Sequence, residues 1–530
     1  MKKRYWKIVI VILLSAMFSV YVSRLYEVKK TPPSENWSHH VMIADEVDGY
    51  MKRRLGILPA SDGFYTYFIK HDSFHLIHSS PKAETSEVLS LADFGSDIVK
   101  VAAHWDETGS LLRVLVLDEE GIRHKGLTLD GAVAFDQVLY EGSYGDVRSI
   151  QIFDSLILLQ FLDEYQLLDA EGIVIETGEI NYKTKMIASE KDSLVYMHIS
   201  DLDQAKIVVY GSDGIRVKEF DVTEPNERDI LGYAQSIDVF DQKIAVTFSK
   251  FKSSEKKTTR FTTMIWDGIT NELIRKDSGL FGYTDEPVQV KGVTQEKTEL
   301  VITGSTKFGS NVLKTSIYGE DILERYPLTK TLRAVTNPIY FELDGEEYVV
   351  WFDVEDEMSA IMLASTNEVV VKDSYASLDL SLTTMVGNGI MGIFGSLLMV
   401  MHAGSIIVLP CVFLIFLSLW LQGKKGFKSE YAVIFVMVAH VAIKLYYVMV
   451  LMEPESLSIM FEQFFGNGAL VAGVLVLTSL IVAVATFNYR KHHELDSEHY
   501  TYAFFAVVDL AALMLTYQVY GYSMLMLTRL

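Results

Sequence analysis

The sequence is almost without cysteine and sparing of proline: 530 residues contain one cysteine, Cys411, and 10 prolines. A single thiol excludes an internal disulfide framework. It also excludes thiol chemistry from the long middle section, which has no cysteine. Large domains of the eukaryotic secretory pathway usually carry disulfides, so a cysteine-free domain outside the cytoplasm fits a bacterial envelope better. Catalytic signatures are absent too. There is no Walker loop, no Gly-x-Ser-x-Gly, no Cys-x-x-Cys, no His-Glu-x-x-His and no Gly-x-Gly-x-x-Gly after a strand. No catalytic residue, metal or cofactor is therefore expected.

Positive charge is scarce and unevenly placed. The net charge is −22, from 47 basic and 69 acidic residues. Residues 1–30 carry +6 and residues 384–530 carry −1, which leaves −27 for residues 31–383. A domain of that charge repels nucleic acid and anionic lipid headgroups, so no nucleic-acid partner is expected.

The apolar residues are concentrated at the two ends. Ile8 to Val22 follows Lys2, Lys3, Arg4 and Lys7 without a good cleavage site, and reads as an uncleaved N-terminal anchor with its basic flank in the cytoplasm. Four later stretches, 404–421, 431–452, 468–487 and 503–526, reach the length of a transmembrane helix. A fifth, 385–402, is interrupted by Gly387, Gly389, Gly392 and Gly395. Counting it as a span would move Lys424, Lys425, Lys428, Arg490 and Lys491 outside, against the positive-inside rule, so residues 384–402 read as an interfacial or re-entrant helix. The expected organisation is an N-terminal flank and anchor (1–30), an extracytoplasmic domain (31–383), the linking helix and a transmembrane helical bundle (403–530).

Between the apolar ends lies a repeat of 40–55 residues. Each unit has a β-rich run, a polar turn and a second short run. Leu112–Leu117 precedes Asp118-Glu119-Glu120-Gly121-Ile122, and Tyr165–Leu168 precedes Asp169-Ala170-Glu171-Gly172-Ile173. Lys206–Tyr210 precedes Ser212-Asp213-Gly214-Ile215, and Thr263–Trp266 precedes Asp267-Gly268-Ile269. Weaker copies are Lys314–Tyr318 before Gly319-Glu320-Asp321-Ile322 and Ala360–Leu363 before Thr366-Asn367-Glu368-Val369, with an early one at Phe74–His78. Glycine supplies the positive φ of a tight hairpin, and Asp or Asn tolerates it. Further strand pairs lie upstream, such as Ser149–Ile152 with Leu156–Leu159, and Ser236–Val239 with Lys243–Val246. Four short antiparallel strands per unit in seven units predict a seven-bladed β-propeller, with a linear series of β-sandwiches as the alternative.

Candidate functional residues are few. His71, His75 and His78 fall in strand-like surroundings, where His75 and His78 face opposite sides, and read as surface histidines. Asp201, Asp203, Asp353, Glu355, Asp356 and Glu357 lie in turns and match no dense calcium-ligand pattern. In the C-terminal part, His440 and Lys444 are four residues apart on one helix face, and Asp509 lies on another apolar segment. These three predict a buried polar cluster joining two helices. Ala469 and Gly473 form a small-xxx-small pair, expected to pack closely. Tyr517, Tyr520 and Tyr522 read as an aromatic belt.

The functional expectation is a non-enzymatic integral membrane protein. Its propeller would bind a protein, glycan or small ligand, and its helices would dock with other membrane subunits of a transporter or an envelope-assembly machine. An enzyme built on the propeller, or an oligomeric transporter using the charged cluster, are the alternatives. Fold alone decides between none of them.

Overall fold

A computed structural model describes residues 30–48 and 55–378 apart from short breaks, and, further on, mainly 406–416, 429–446, 468–493 and 500–513. The chain divides into two units, Pro32–Ser377 and a second comprising Met1–Thr31 with Leu378–Leu530.

The first unit is a seven-bladed β-propeller. Its 28 strands form seven four-stranded antiparallel sheets. Blade 1 holds β2–β5 between Gly56 and Asp93, and blade 2 holds β6–β9 between Lys100 and Glu141. Blade 3 (β10–β13) spans Val147–Glu179, and blade 4 (β14–β17) spans Lys185–Val222. Blade 5 (β18–β21) spans Tyr233–Gly282, and blade 6 (β22–β25) spans Glu286–Pro327. Blade 7 takes β26–β28 from Ala334–Ser365 and its outermost strand, β1 (Val41–Asp48), from the other end of the domain. Val41 pairs with Leu363 and Asp48 with Met358, so the ring is closed by a strand of distant sequence.

Strand alternation builds the core between blades rather than within them. On β7 (Leu112–Leu117) every residue is buried, because each blade is covered on both faces. Leu112, Val114 and Val116 point into the core shared with blade 1, while Leu115 and Leu117 point into the core shared with blade 3. Apolar cores of this kind follow one another between blades 3 and 4, 4 and 5, 5 and 6, and 6 and 7. The last joins blade 7 to blade 1 through Tyr348, Val350, Phe352, Phe64 and Phe68. That final core sets the linear series of sandwiches aside. Burying each leucine or valine stabilises the ring by about 1.5–3 kcal/mol.

The repeat phase differs from expectation at two blades. In blade 2 the Asp118–Gly121 turn joins the second and third strands, whereas the corresponding turns of blades 3 to 6 join the third and fourth. In blade 7 the stretch expected as a second run opens a helix instead, α1 (Glu368–Ser377), where the Val369 and Val370 amides donate to the side-chain Oδ1 of Asn367. The fourth-strand position there is already occupied by β1.

The expected transmembrane bundle is corrected. Among the described residues no helix is long and apolar enough to cross a membrane. The structure describes helix α2 over residues 406–416 and helix α5 over residues 500–513. Helix α3 (Ser429–Tyr446) carries Glu430, His440 and Lys444, and α4 (Gly468–His493) runs out through Asn488, Arg490, Lys491 and two histidines. The N-terminal anchor at 8–22 and the interfacial helix at 384–402 lie outside the described residues apart from isolated positions, as do Tyr517, Tyr520 and Tyr522.

Candidate functional site

Two groups of residues stand out, one in each unit. In the helical unit, His440, Lys444 and Asp509 meet. Lys444 and His440 lie one turn apart on α3, and both reach Asp509 on α5. The Lys444 ammonium donates to Asp509 Oδ2 at 2.6 Å, and His440 Nε2 lies 3.2 Å from the same oxygen. Ser479 of α4 bonds to the other carboxylate oxygen at 2.7 Å and also accepts from the Lys444 ammonium. His440 Nδ1 lies 3.0 Å from the Tyr502 hydroxyl. A carboxylate only accepts, so Nε2 carries a proton and Nδ1 is left to accept from the tyrosine when the ring is neutral. All five side chains are buried, and around them pack Cys411, Val436 and Phe505.

This arrangement is a closed, charge-balanced network joining three helices. Each buried charge has an opposite partner and further hydrogen bonds, the condition under which burial is tolerated. Ser479 and Tyr502 are members that the sequence did not single out. Hydroxyl side chains are common on helices, and their partners depend on helix packing. Gly473 is exposed, with nothing within 4 Å of where a Cβ would stand; the side chain of Ala469 lies outside the described residues.

The remaining candidates are dispersed. His75 stacks on Phe68 and lies 3.3 Å from the Lys70 carbonyl oxygen, whereas His78 pairs with Asp62 at 3.0 Å. Asp353 is buried and accepts from the Thr331 hydroxyl at 2.8 Å. His71, Asp201, Asp203, Asp356 and Glu357, and the side chain of Glu355, lie outside the described residues. Among the described residues no group of three or more His, Cys, Asp or Glu is placed to hold a metal ion.

The second group lies on the propeller rim. In blades 3, 4 and 5 an isoleucine follows the glycine of the turn into the outermost strand. Ile173 is 65% exposed, Ile215 64% and Ile269 66%. The same chemistry holds each in place, because an aspartate carboxylate accepts its amide. Asp169 takes Ile173 N–H at 2.8 Å, Asp213 takes Ile215 N–H at 3.0 Å and Asp267 takes Ile269 N–H at 2.7 Å. The amides of Thr270 and Ile269 hold the Asp267 carboxyl below the usual carboxylate range.

The three blades touch at this level. A Cβ on Gly214 would fall 2.2 Å from Ile175 Cδ1, and Lys218 of blade 4 donates to the carbonyls of Gly268 and Ile269 in blade 5. Val174, Ile175, Val217, Leu273 and Ile274 are exposed beside the isoleucines. The result is an apolar strip across three consecutive blades. Ile122 does not contribute: the phase of blade 2 places it on a third strand, fully buried. The strip was visible in the sequence as an isoleucine after a turn glycine, where a solvent-facing position has no need of one.

The fold and rim define the class as a seven-bladed propeller joined to a helical unit. No family model and no curated protein matches the chain. Among solved structures it is similar to the β-propeller domain of the trilobed protease from Pyrococcus furiosus, with 12% identity, a TM-score of 0.35, and cover of 58% of this chain and 97% of that one. It is also similar to a chain of a Saccharomyces cerevisiae complex of Dbp5 with Nup159, Gle1, IP6 and ADP, with 9% identity, a TM-score of 0.35, and cover of 63% and 96%. At these scores the likeness carries no argument about what the chain binds.

Proposed function

We propose that the chain is a non-enzymatic binding protein whose propeller recognises a protein partner through the apolar strip of blades 3 to 5. The observation that carries this reading is the repetition of one exposed isoleucine, at about the same exposure and held by the same aspartate bond, in three touching blades. Single exposed apolar residues are ordinary, but contiguous apolar strips rimmed by polar groups mark protein contacts. Arg216, Glu219 and Glu176 form that rim through mutual ion pairs. The helical unit adds a second docking surface for partner subunits, since Leu409, Phe413, Phe435 and Val438 are exposed.

The test is a triple variant, Ile173→Ser, Ile215→Ser and Ile269→Ser. Exposed substitutions of this kind change stability by about 0.5 kcal/mol or less each, so the ring should remain folded. Purified gently from its own cells, the wild type should bring a stoichiometric protein partner that the variant loses. A wild type that purifies alone, or a variant that keeps the same partner, overturns the reading.

A further inference from the structure

The charges around the apolar strip bear on what covers it. Its isoleucines stand in three turns, 169–173, 212–215 and 267–273. The turns close through backbone bonds: Asp169 N–H to the Ile173 carbonyl at 2.9 Å, Gly211 N–H to that of Ile215 at 3.0 Å and Asp267 N–H to that of Glu272 at 2.9 Å. Together they hold five carboxylates, Asp169, Glu171, Asp213, Asp267 and Glu272, and no lysine or arginine. Glu171, Asp213 and Glu272 are exposed, and the other two are half-buried. The bonds that Asp169, Asp213 and Asp267 accept from backbone amides leave their charge uncancelled.

The cations beside the turns are engaged elsewhere. Arg216 pairs with Glu176 at 2.5 Å and with Glu219. Lys218 donates to the Gly268 and Ile269 carbonyls. Arg275 of β21 (Leu273–Gly282) pairs with Asp277 at 2.8 Å and donates to the Thr294 and Gln295 carbonyls of blade 6. The same three turns thus present exposed apolar side chains and negative charge together. Complementary charge across an interface selects the partner, and like charges facing each other oppose it. A second copy of this chain would set carboxylates against carboxylates, in a domain that already carries −27 over residues 31–383. A positively charged partner cancels them.

We infer that the partner presents a basic amphipathic segment, its apolar side chains on Ile173, Ile215 and Ile269 and its lysines or arginines beside the five turn carboxylates. The chemistry of that segment rests on the strip being the docking surface proposed above, and narrows the partner to one class of protein.

Fluorescence anisotropy of the full chain tests it with two labelled peptides. One is built of leucine and lysine in amphipathic register, and the other has glutamate at every lysine position. The leucine–lysine peptide should bind about tenfold tighter or more, and added salt should shrink the difference. A combined variant, Glu171→Gln, Asp213→Asn and Glu272→Gln, removes charge but keeps the isoleucines and the Asp213 acceptor oxygen. It should cut the preference about threefold or more. The triple serine variant should weaken the leucine–lysine peptide as well. No binding of that peptide, equal binding of the two, or an unchanged preference in the charge variant overturns the basic segment. So does self-association of the chain in sedimentation that the serine variant abolishes, which would name a second copy as the occupant. Loss of the native partner from the serine variant alongside equal peptide binding would keep the docking surface and reject only its basic occupant. Retention of the native partner there rejects both.

Discussion

Lys444 and Asp509 form a buried ion pair, 2.6 Å from Nζ to Oδ2, with neither side chain exposed. The pair binds α3 to α5, and Ser479 draws in α4. Removing one partner leaves an uncompensated buried charge, which costs about 3–5 kcal/mol, whereas removing both leaves none. Lys444→Met and Asp509→Leu should therefore each lower the unfolding midpoint of the helical unit sharply. The double variant should be more stable than either single one. Circular dichroism melts of the four proteins check this; if the two losses simply add, the pair is not what holds these helices.

Among the described residues of the propeller, the buried His124 and His198 resist protonation. Burial, with Arg113 nearby, lowers His124 to about 4, and burial alone lowers His198 to about 4. Their ordinary value is about 6.5. The unfolded chain therefore takes up protons first as pH falls, and stability is lost progressively between about pH 6.5 and pH 4, while above 6.5 it is fully retained. At pH 5 the loss is about 2 kcal/mol per histidine. Urea midpoints at pH 7.5 and 5 should differ strongly in the wild type. His124→Leu should shrink that difference, whatever it does to the midpoint at pH 7.5. An unchanged pH difference would mean that His124 is protonated in the fold.

The blades were legible in the sequence because their determinants are local. Runs such as Leu112–Leu117 and Leu156–Leu159 are apolar on both faces, and Asp-x-x-Gly turns mark where the chain reverses. Those turns do not reveal which hairpin they serve. Asp118 accepts the amides of Glu120 and Gly121 much as Asp169 accepts those of Glu171 and Ile173, yet the two turns join different strand pairs. Closure was not legible either, since Val41 and Leu363 are paired by ring geometry and not by any local preference. In the C-terminal part, the spacing of His440 and Lys444 put them on one helix face, but apolar composition said nothing about where each helix ends. The approach of His104 to Glu190 gave no signal at all, because residues of two non-adjacent blades meet only in the closed ring.

Two turn glycines separate conformational strain from steric exclusion. Gly121 has φ +144°, and a Cβ there would lie 1.9 Å from the Tyr140 carbonyl oxygen. Gly319 has φ +60°, with nothing within 4 Å. Gly319→Ala should cost only the strain of the left-handed region, about 1–2 kcal/mol. Gly121→Ala must also push apart the β8–β9 pairing of Gly121–Leu127 and Val133–Glu141, and should cost more. Denaturant midpoints of the two variants should rank in that order; equal losses would show that the blade 2 backbone moves aside freely.

Closure of the ring depends on the segment preceding β1 as well as on β1 itself. Trp37 is buried between blades 6 and 7 with Leu328, Val349 and Trp351. Ser38 N–H donates to the Ser365 carbonyl at 2.9 Å, and Ser365 N–H returns a bond to the Ser38 hydroxyl at 2.9 Å. His39 N–H reaches Ser374 of α1 at 3.1 Å. These contacts anchor β1 where register shifts between Met42 and Ala44, and between Ala44 and Val47, interrupt its ladder. Trp37→Ala should cost about 3–5 kcal/mol as a large aromatic is lost from a packed core. The damage should be local at first, because an unseated β1 leaves β28 (Met358–Ser365) as an open sheet edge. Limited proteolysis of this variant should cut within blade 7 before any other blade, and the protein should aggregate more readily than the wild type. A first cut elsewhere in the ring would show that the clasp is held by β1 alone and that Trp37 only fills space.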